Sequence, residues 1–336
     1  MKLILLVAIF FLPVIAFGQT DTCISNLKKA STEFDQGNYD FAIAKLNASL
    51  SGCDLSNEDR ISANKLLILC YLAIDDLESA ANTADAIMKA DPNYQPDRFK
   101  DDPKLSALFS KYQPQPLLVI AVGGGINLPV IKVDKTYSVI HDDDAESLAE
   151  YHTKAGYQLM TKVELRTYRN LWVEASFQFR QTSYNHTLDS VQGSTVFYDE
   201  SLNYFELPLS LKYYFSKGRL QPYLQAGADI SFLTRALSTT SRSTDQDIVD
   251  RTDLRNNFNV GWGGGIGLRY AINSLMIFGN VQYIFFPSLV NKEGTRYNDD
   301  VNLYKYYYID DDFRMDNIQF KIGIGYVLSY KIEKVK

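Results

Sequence analysis

Residues 203–235 read NYFELPLSLKYYF, then SKGR, then LQPYLQAGADISFLTR. In the first run Phe205, Leu207, Leu209, Leu211, Tyr213 and Phe215 alternate with Tyr204, Glu206, Ser210, Lys212 and Tyr214. A period of two is the signature of a strand. One face is continuously apolar and the other is polar and charged. Ser216–Arg219 is short and polar, so the next run is expected to pair back as a hairpin. A strand with one apolar face packs on a core or faces lipid. The rest of the chain points to lipid, and the hairpin is read as part of a membrane barrel.

The N-terminus supports that context. Lys2 precedes an apolar run, Leu3–Phe17, with small residues at Ala16 and Gly18. This is the pattern of a secretory signal peptide over residues 1–18, cleaved between Gly18 and Gln19. The run falls short of the ~20 residues a spanning helix needs. Thr20-Asp21-Thr22 before Cys23 does not make a lipobox. No later segment is long and apolar enough to span as a helix, so an exported chain that enters a membrane must do so as a closed barrel. The 336 residues allow about two domains. Aromatics reach 13%, with 23 Tyr and 2 Trp, and the net charge of −6 argues against nucleic acid as a partner. A mean hydropathy of −0.18 excludes a helical membrane protein but suits a barrel of half-polar strands.

Residues 19–112 change to helical spacing. Leu27, Ala30 and Phe34 are followed, after Gln36-Gly37-Asn38, by Phe41, Ile43, Leu46 and Leu50. Ile61, Leu66, Ile68, Leu69 and Leu72 make a second pair with Leu77, Ala80, Ala81, Ala84 and Ile87, stopped by Asp91-Pro92. Ala30, Gly37, Tyr39, Ala42 and Leu46, then Tyr71, Leu77, Ala80, Ala84 and Pro92, resemble the small and aromatic positions of a tetratricopeptide repeat. Asp75 stands where the repeat has glycine, and the spacing is a few residues longer than usual. A helix near Lys104–Tyr112 caps the pair. Two repeats are fewer than usually stand alone, and the resemblance implies a groove that binds protein segments; a plain spacer is the alternative. Cys23 opens the first helix and Cys53 follows the helix antiparallel to it, so a disulfide is compatible with an oxidising compartment. Cys70, in LLILCYL, reads as a buried free thiol.

Gln113-Pro114-Gln115-Pro116 reads as a stiff, extended linker, residues 113–116. The barrel is expected over residues 117–336, with about eight strands: Leu117–Leu128, Gly156–Tyr168, Leu171–Tyr184, Asn203–Phe215, Leu220–Arg235, Asn257–Tyr270, Leu275–Ser288 and Asn317–Tyr330. Long connections (Pro129–Ala155, Asn185–Leu202, Ala236–Asn256, Leu289–Asp316) alternate with short ones, as in outer-membrane barrels. An even strand count puts both ends of the barrel on the short-turn side, so the helical domain is expected in the periplasm and the long loops at the cell surface. The inward faces carry Lys162, Glu164, Arg166, Glu174, Arg180, Glu206, Lys212, Asp229, Arg269 and Lys321. Buried charges of both signs should pair, and an about eight-stranded barrel has room only for side chains. A plugged lumen is therefore expected in place of a pore; a catalytic charge cluster is the competing reading. Gly123-Gly124-Gly125 and GWGGGIG at 261–267 lack the Lys-Ser/Thr ending of a phosphate loop. They read as bends, bulges or close approaches in strands.

FELPLSLKYYF, QPYLQAGADISFL, GWGGGIGLRY and the closing FKIGIGYVLSY together resemble the Bacteroidota outer-membrane β-barrel domain of the porin superfamily, which includes PorT-like proteins. Lys321, Gly323, Tyr326 and Leu328 resemble the signal read by the barrel-assembly machinery, although Lys331–Lys336 continues past the last aromatic. The resemblance implies an integral outer-membrane protein and fixes no single activity.

Of the 3 histidines, His141, His152 and His186 all fall in long loops or their bases. His141-Asp142-Asp143-Asp144 and Asp310-Asp311-Asp312 are candidates for a divalent cation, with solvated loops as the alternative. Tyr304–Tyr308 is a candidate contact for a partner or glycan, or else folds over the barrel top. Asp189-Ser190-Val191 matches a short O-glycosylation acceptor pattern. No Gly-x-Ser-x-Gly nucleophile motif is present. The expectation is an α + β chain of two domains: periplasmic tetratricopeptide-like α-helical hairpins, then an antiparallel transmembrane β-barrel. It is read as non-enzymatic, without cofactor or metal, a scaffold or accessory subunit of an envelope machine for secretion, gliding or barrel assembly. Its expected partners are outer-membrane lipid and envelope proteins bound through residues 19–112. The alternatives are a narrow solute channel and a surface receptor or adhesin acting through the outer loops.

Overall fold

The computed structural model describes residues 18–138, 149–191 and 194–334. His141–Asp144 therefore lies outside the described residues, as does the expected signal peptide up to residue 17. The chain forms two compact units: residues up to Pro114 together with Ile332–Lys336, and Gln115–Lys331.

The first unit contains α1 (Gly18–Asp35), α2 (Tyr39–Gly52), α3 (Asn57–Ala73), α4 (Leu77–Ala90) and α5 (Pro103–Phe109). The caps explain where the helices start. Ser56 Oγ accepts from the Asp59 amide at 3.1 Å, Asp76 from the Ser79 amide at 3.0 Å, and Asp102 from the Lys104 amide at 2.8 Å, with Pro103 in the first turn. Gly37 (φ 79°) and Asp75 (φ 61°) occupy the same left-handed corner before α2 and α4. Asp is among the few side chains that tolerate that corner, which is how the second hairpin turns without a glycine. Ala30, Ala42, Leu46, Ala63, Leu67 and Cys70 form one core. Ile68, Ala80, Ala84, Ile87, Met88, Leu105, Phe109 and Tyr112 form another. Cys23 and Cys53 are bonded, with Cα atoms 6.1 Å apart, and Cys70 is a buried free thiol.

The second unit is built from β1 (Tyr112–Lys135), β2 (Ala149–Tyr168), β3 (Leu171–Val191), β4 (Ser194–Tyr214), β5 (Leu220–Arg242), β6 (Asp245–Asp250), β7 (Phe258–Ile272), β8 (Leu275–Phe285) and β9 (Asp312–Lys334). The sheet order is β4-β3-β2-β1-β9-β8-β7-β5-β6, with β4 also paired to β5. β6 hangs on β5 alone, so the other eight strands close a ring. Every registered pair is antiparallel.

Two expectations change. Residues 113–116 are not a separate linker but the first part of β1. Pro114 and Pro116 hold the backbone extended, and that geometry runs into the strand without a break. At the other end, Ile332–Lys336 groups with the helical unit rather than the barrel, and Ile332 packs on the Ile68–Tyr112 core. Two of the long connections are also much shorter than the sequence suggests. Asn185–Leu202 is mostly a continuation of the β3–β4 hairpin, paired from Asn185↔Asp199 to Val191↔Ser194. Ala236–Asn256 contains the end of β5 and all of β6.

The outer face explains why. On β4 and just beyond it, Phe205, Leu207, Leu209, Leu211, Tyr213 and Phe215 are 41–56% exposed. Ten residue rises of ~3.3 Å at a tilt near 40° give an apolar band roughly 25 Å tall. Leu171, Val173 and Phe177 on β3, and Trp262, Ile266, Leu268 and Tyr270 on β7, continue it around the ring. Above Phe205 the outward positions become Asn203, Ser201 and Asp199. The strands run on past the band, but their apolar-out signal stops.

Candidate functional site

The inward side chains fill the ring in layers. Near the short turns, Glu164 accepts from Lys162 at 2.8 Å, Lys212 at 2.9 Å, Arg269 at 3.2 Å and the Tyr214 hydroxyl at 3.0 Å. Glu174 pairs with Lys162 at 2.9 Å and Lys212 at 2.5 Å. The Arg269 guanidinium lies 3.8 Å from the Tyr214 ring centroid and 4.6 Å from that of Trp172, and the Lys162 ammonium lies 3.5 Å from that of Phe278. Val119, Trp172, Tyr214, Tyr223, Met276 and Val327 close this end with an apolar cluster. Arg166 is buried and donates from Nε to the Arg169 carbonyl.

One layer further in, Glu206 holds Arg180 at 2.6 Å, the Gln178 amide at 2.7 Å and the Ser231 hydroxyl at 2.9 Å. Gln225, Asn280, Gln282 and Gln319 line the facing wall and bond to one another. Asp229 and Lys321 are buried beside a cavity of about 30 Å³, room for a water molecule. Both Asp229 carboxylate oxygens lack a hydrogen-bond partner among the described residues.

The glycines make this filling possible. A Cβ on Gly267 would sit 2.3 Å from Tyr223 Cζ, and one on Gly323 would sit 2.4 Å from Phe278 Cζ. The inward side of the GWGGGIG strand is thus a hollow that receives an aromatic ring.

Beyond the apolar band the interior becomes a cap. Tyr184, Tyr198, Leu202, Tyr204, Tyr306, Tyr308 and Phe313 belong to its core. At its centre Arg255 donates to Glu200 at 2.6 and 2.8 Å and to Asp310 at 2.7 Å. Arg251 reaches Asp310 at 2.5 Å, the Tyr198 hydroxyl at 2.6 Å and Asp299 at 2.9 Å. Tyr198 stacks on Tyr308 with centroids 4.2 Å apart, and Tyr151 stacks on His186 at 3.8 Å. Burial alone would raise the Asp310 carboxyl, but Arg251 and Arg255 hold it well below the usual carboxylate range. Burial pushes the His186 imidazole down to about 4, against the pull of Asp310. Burial raises the Asp311 carboxyl, opposed by hydrogen bonds from the Tyr137 amide and Tyr151 hydroxyl.

The structure places Lys162, Glu164, Arg166, Glu174, Arg180, Glu206, Lys212, Asp229, Arg269 and Lys321 inside the ring, all buried. Of the residues compared to an assembly signal, Lys321 and Gly323 face in, while Tyr326 and Leu328 are exposed on the outer face. The acidic run at 310–312 is not a solvated loop: Asp310 and Asp311 are buried and engaged. Of the tyrosine run, Tyr306 and Tyr308 are buried in the cap, and Tyr304 is 72% exposed. His186 is buried and His152 exposed. No group of three or more metal-type side chains occurs among the described residues. Glu200, Asp299, Arg251 and Arg255 are absent from the sequence-based set. For Glu200 a signal exists, since it shares the inward parity of Tyr198, Leu202, Tyr204 and Glu206. The two arginines sit in a connection, where no periodicity points inward.

A closed antiparallel ring with an apolar outer belt and a polar, filled interior defines a transmembrane β-barrel. Residues 111–290 match the family described as outer membrane protein beta-barrel domain, and the chain belongs to that family. The match covers β1 to β8. Among solved structures, the chain is similar to Neisserial surface protein A at 11% identity, covering 64% of this chain and 99% of that one with a TM-score of 0.32. It is similar to the outer membrane protein OprG from Pseudomonas aeruginosa at 14% identity, covering 63% and 96%, TM-score 0.36. It is also similar to the attachment invasion locus protein Ail of Yersinia pestis at 13% identity, covering 63% and 98%, TM-score 0.30. The comparison with curated proteins finds no match. The family places the protein in the outer membrane.

Proposed function

We propose that the barrel is an anchor and not a channel, and that it carries a protein-interaction domain of tetratricopeptide-like hairpins as an accessory or scaffold subunit of an envelope machine. The observation that carries this is the filled lumen. Glu164, Glu174 and Glu206 tie the strands together through buried cations across the ring, and such layers of paired charge occupy the space a solute would need. In this reading residues 1–18 are a signal peptide, and Cys23–Cys53 forms in the oxidising periplasm. The helical unit lies in the periplasm because it precedes β1 on the short-turn side, and the cap faces outside. The likeness to PorT-like proteins of Bacteroidota supports a non-enzymatic envelope role. Two measurements test it. Protein in planar bilayers should give no unitary conductance; steady single-channel currents would overturn the anchor reading. Removing residues 19–112 should release co-purifying envelope proteins and leave the barrel inserted; partners that stay bound would move the scaffold to the barrel or its loops.

A second reading, a surface receptor, is favoured by the cap. Its connections are pinned by buried arginines, which gives a stiff surface at the end away from the short turns.

A further inference from the structure

The two ends of the barrel carry their outer charge differently. On the cap side of the apolar band the outward cations have carboxylate neighbours. Lys132 holds Asp316 at 2.6 Å, Arg314 holds Asp134 at 2.8 Å, and Lys154 holds Asp199. Arg235 lies near enough to Asp250 to stabilise its carboxylate. At the other end, residues 165–173, 211–224 and 268–279 contain the three short turns and include no Asp or Glu. Their cations divide by position. Arg166, Lys212 and Arg269 are buried inside the ring, while Arg169, Lys217 and Arg219 are exposed on the turns.

These three cations lie on one arc of the rim. Arg169 is in the β2–β3 turn, Lys217 and Arg219 are in the β4–β5 turn, and β3 pairs with β4. The turns are tied to the neighbouring strands. The Asn170 carbonyl accepts from the Tyr214 amide at 2.9 Å, and the Arg219 carbonyl accepts from the Ala271 amide at 2.8 Å. Gln221 Nε2 donates to the Gly218 carbonyl at 2.7 Å. Beside them the apolar band ends in rings: Tyr168, Tyr213, Phe215 and Tyr270 are exposed on the outer face. Aromatic girdles of this kind mark the membrane interface in barrels. Lys217 and Arg219 follow Phe215 within four residues, and the Arg169 guanidinium lies 5.2 Å from the Tyr168 ring centroid. The cations therefore stand at the level of lipid phosphates. An acidic protein segment would meet their charge alone, whereas an anionic bilayer meets both the charge and the rings.

We propose that this arc binds the headgroups of anionic phospholipid in the leaflet at the short-turn end. The inference rests on the barrel spanning a membrane and not on what the helical unit recruits. The test reconstitutes the full chain in phosphatidylcholine vesicles. Electron spin resonance then compares spin-labelled phosphatidylglycerol with spin-labelled phosphatidylcholine in the motionally restricted shell around the protein. A Lys or Arg near an anionic headgroup contributes a factor of about five. Averaged over the whole shell, phosphatidylglycerol should be preferred by about two-fold or more at 0.1 M salt. The preference should vanish at 1 M salt, where the Debye length is ~3 Å. Arg169→Gln, Lys217→Gln and Arg219→Gln together should bring the two lipids level. Equal association of both lipids with the native chain overturns the proposal and leaves the cations to an acidic protein segment. A preference that survives 1 M salt or the triple substitution overturns it too. If the triple variant does not fold, as read by heat-modifiable gel migration, Lys217→Gln with Arg219→Gln carries the test. Loss of about half the preference or more supports the arc, and any smaller loss overturns it.

Discussion

The interior within the apolar band and the cap beyond it are built on the same strands, yet they are stabilised differently. On β4, Glu206 and Lys212 inside the band share their parity with Tyr198 and Glu200 in the cap. In the band the paired charges come from strands, and their partners sit on other strands as well as their own. In the cap the cations Arg251 and Arg255 and the carboxylate Asp310 come from connections folded back over the strands. Strand pairing thus fixes the band, while the cap holds only if its connections fold onto it. Breaking a charge in the band should damage the whole ring, and breaking one in the cap should open only that end.

The largest effect is expected from Glu164→Leu. It leaves Lys162 and Lys212 with Glu174 alone and takes from Arg269 its carboxylate partner, and each buried pair broken from one side costs ~3–5 kcal/mol. Folding yield into lipid, read by heat-modifiable gel migration, should fall sharply. Arg255→Met leaves Glu200 and Asp310 with less compensation, again at ~3–5 kcal/mol, but here the loss should be local. Hydrogen exchange should speed up in residues 194–202 and 306–313 while β4 from Phe205 to Tyr213 stays protected. Equal deprotection of both regions would erase the distinction drawn between band and cap.

Acid should separate the two regions next. His186 is held neutral in the cap, its value depressed to about 4 from the ordinary 6.5. The unfolded chain then binds the proton more readily, so stability is complete above pH 6.5 and falls as the pH drops towards 4. The loss amounts to roughly 3 kcal/mol. Asp310, held low by its arginines, stays charged through this window. Asp311 works in the opposite sense, because its raised carboxyl favours the folded state at lower pH. The difference between the native chain and His186→Phe isolates the imidazole. Cap protection factors, corrected for the intrinsic pH dependence of exchange, should fall as the pH drops from 6.5 to 4 in the native chain and much less in the variant. Identical pH profiles would remove His186 as the cause.

The same contrast explains what the chain shows before it is folded. The ring is legible because lipid outside and charge inside give alternation of opposite character along the strands, as in Phe205–Phe215. The expected inward set, from Lys162 to Lys321, follows from parity alone. The cap is illegible for two physical reasons. Past Asn203 both faces carry polar groups, so the alternation that continues through Glu200 and Tyr198 no longer contrasts. Arg251 and Arg255 flank a 3-10 turn at Thr252–Leu254, and only tertiary folding turns such side chains inward. Asp310-Asp311-Asp312 reads as a solvated acidic loop because its compensating arginines are remote in sequence. The far end of the β3–β4 hairpin reads as a long loop for the first of these reasons.

The smallest effect probes how tightly the band is filled. Tyr223 lies over Gly267, where an added Cβ would fall 2.3 Å from the ring. Tyr223 itself is buried, between Tyr214 at 5.0 Å and the Lys212 ammonium at 4.6 Å. It has little room to retreat, so Gly267→Ala should destabilise the barrel by about 1–3 kcal/mol, the usual cost of overpacking. Tyr223→Leu, which takes away the obstructing ring, should recover part of that loss when combined with Gly267→Ala, and the coupling should show in a double-mutant cycle of urea unfolding in lipid. Additive losses would mean that the glycine is there for the backbone of β7 and not for the ring, and the lumen would then be less fully packed than the cap.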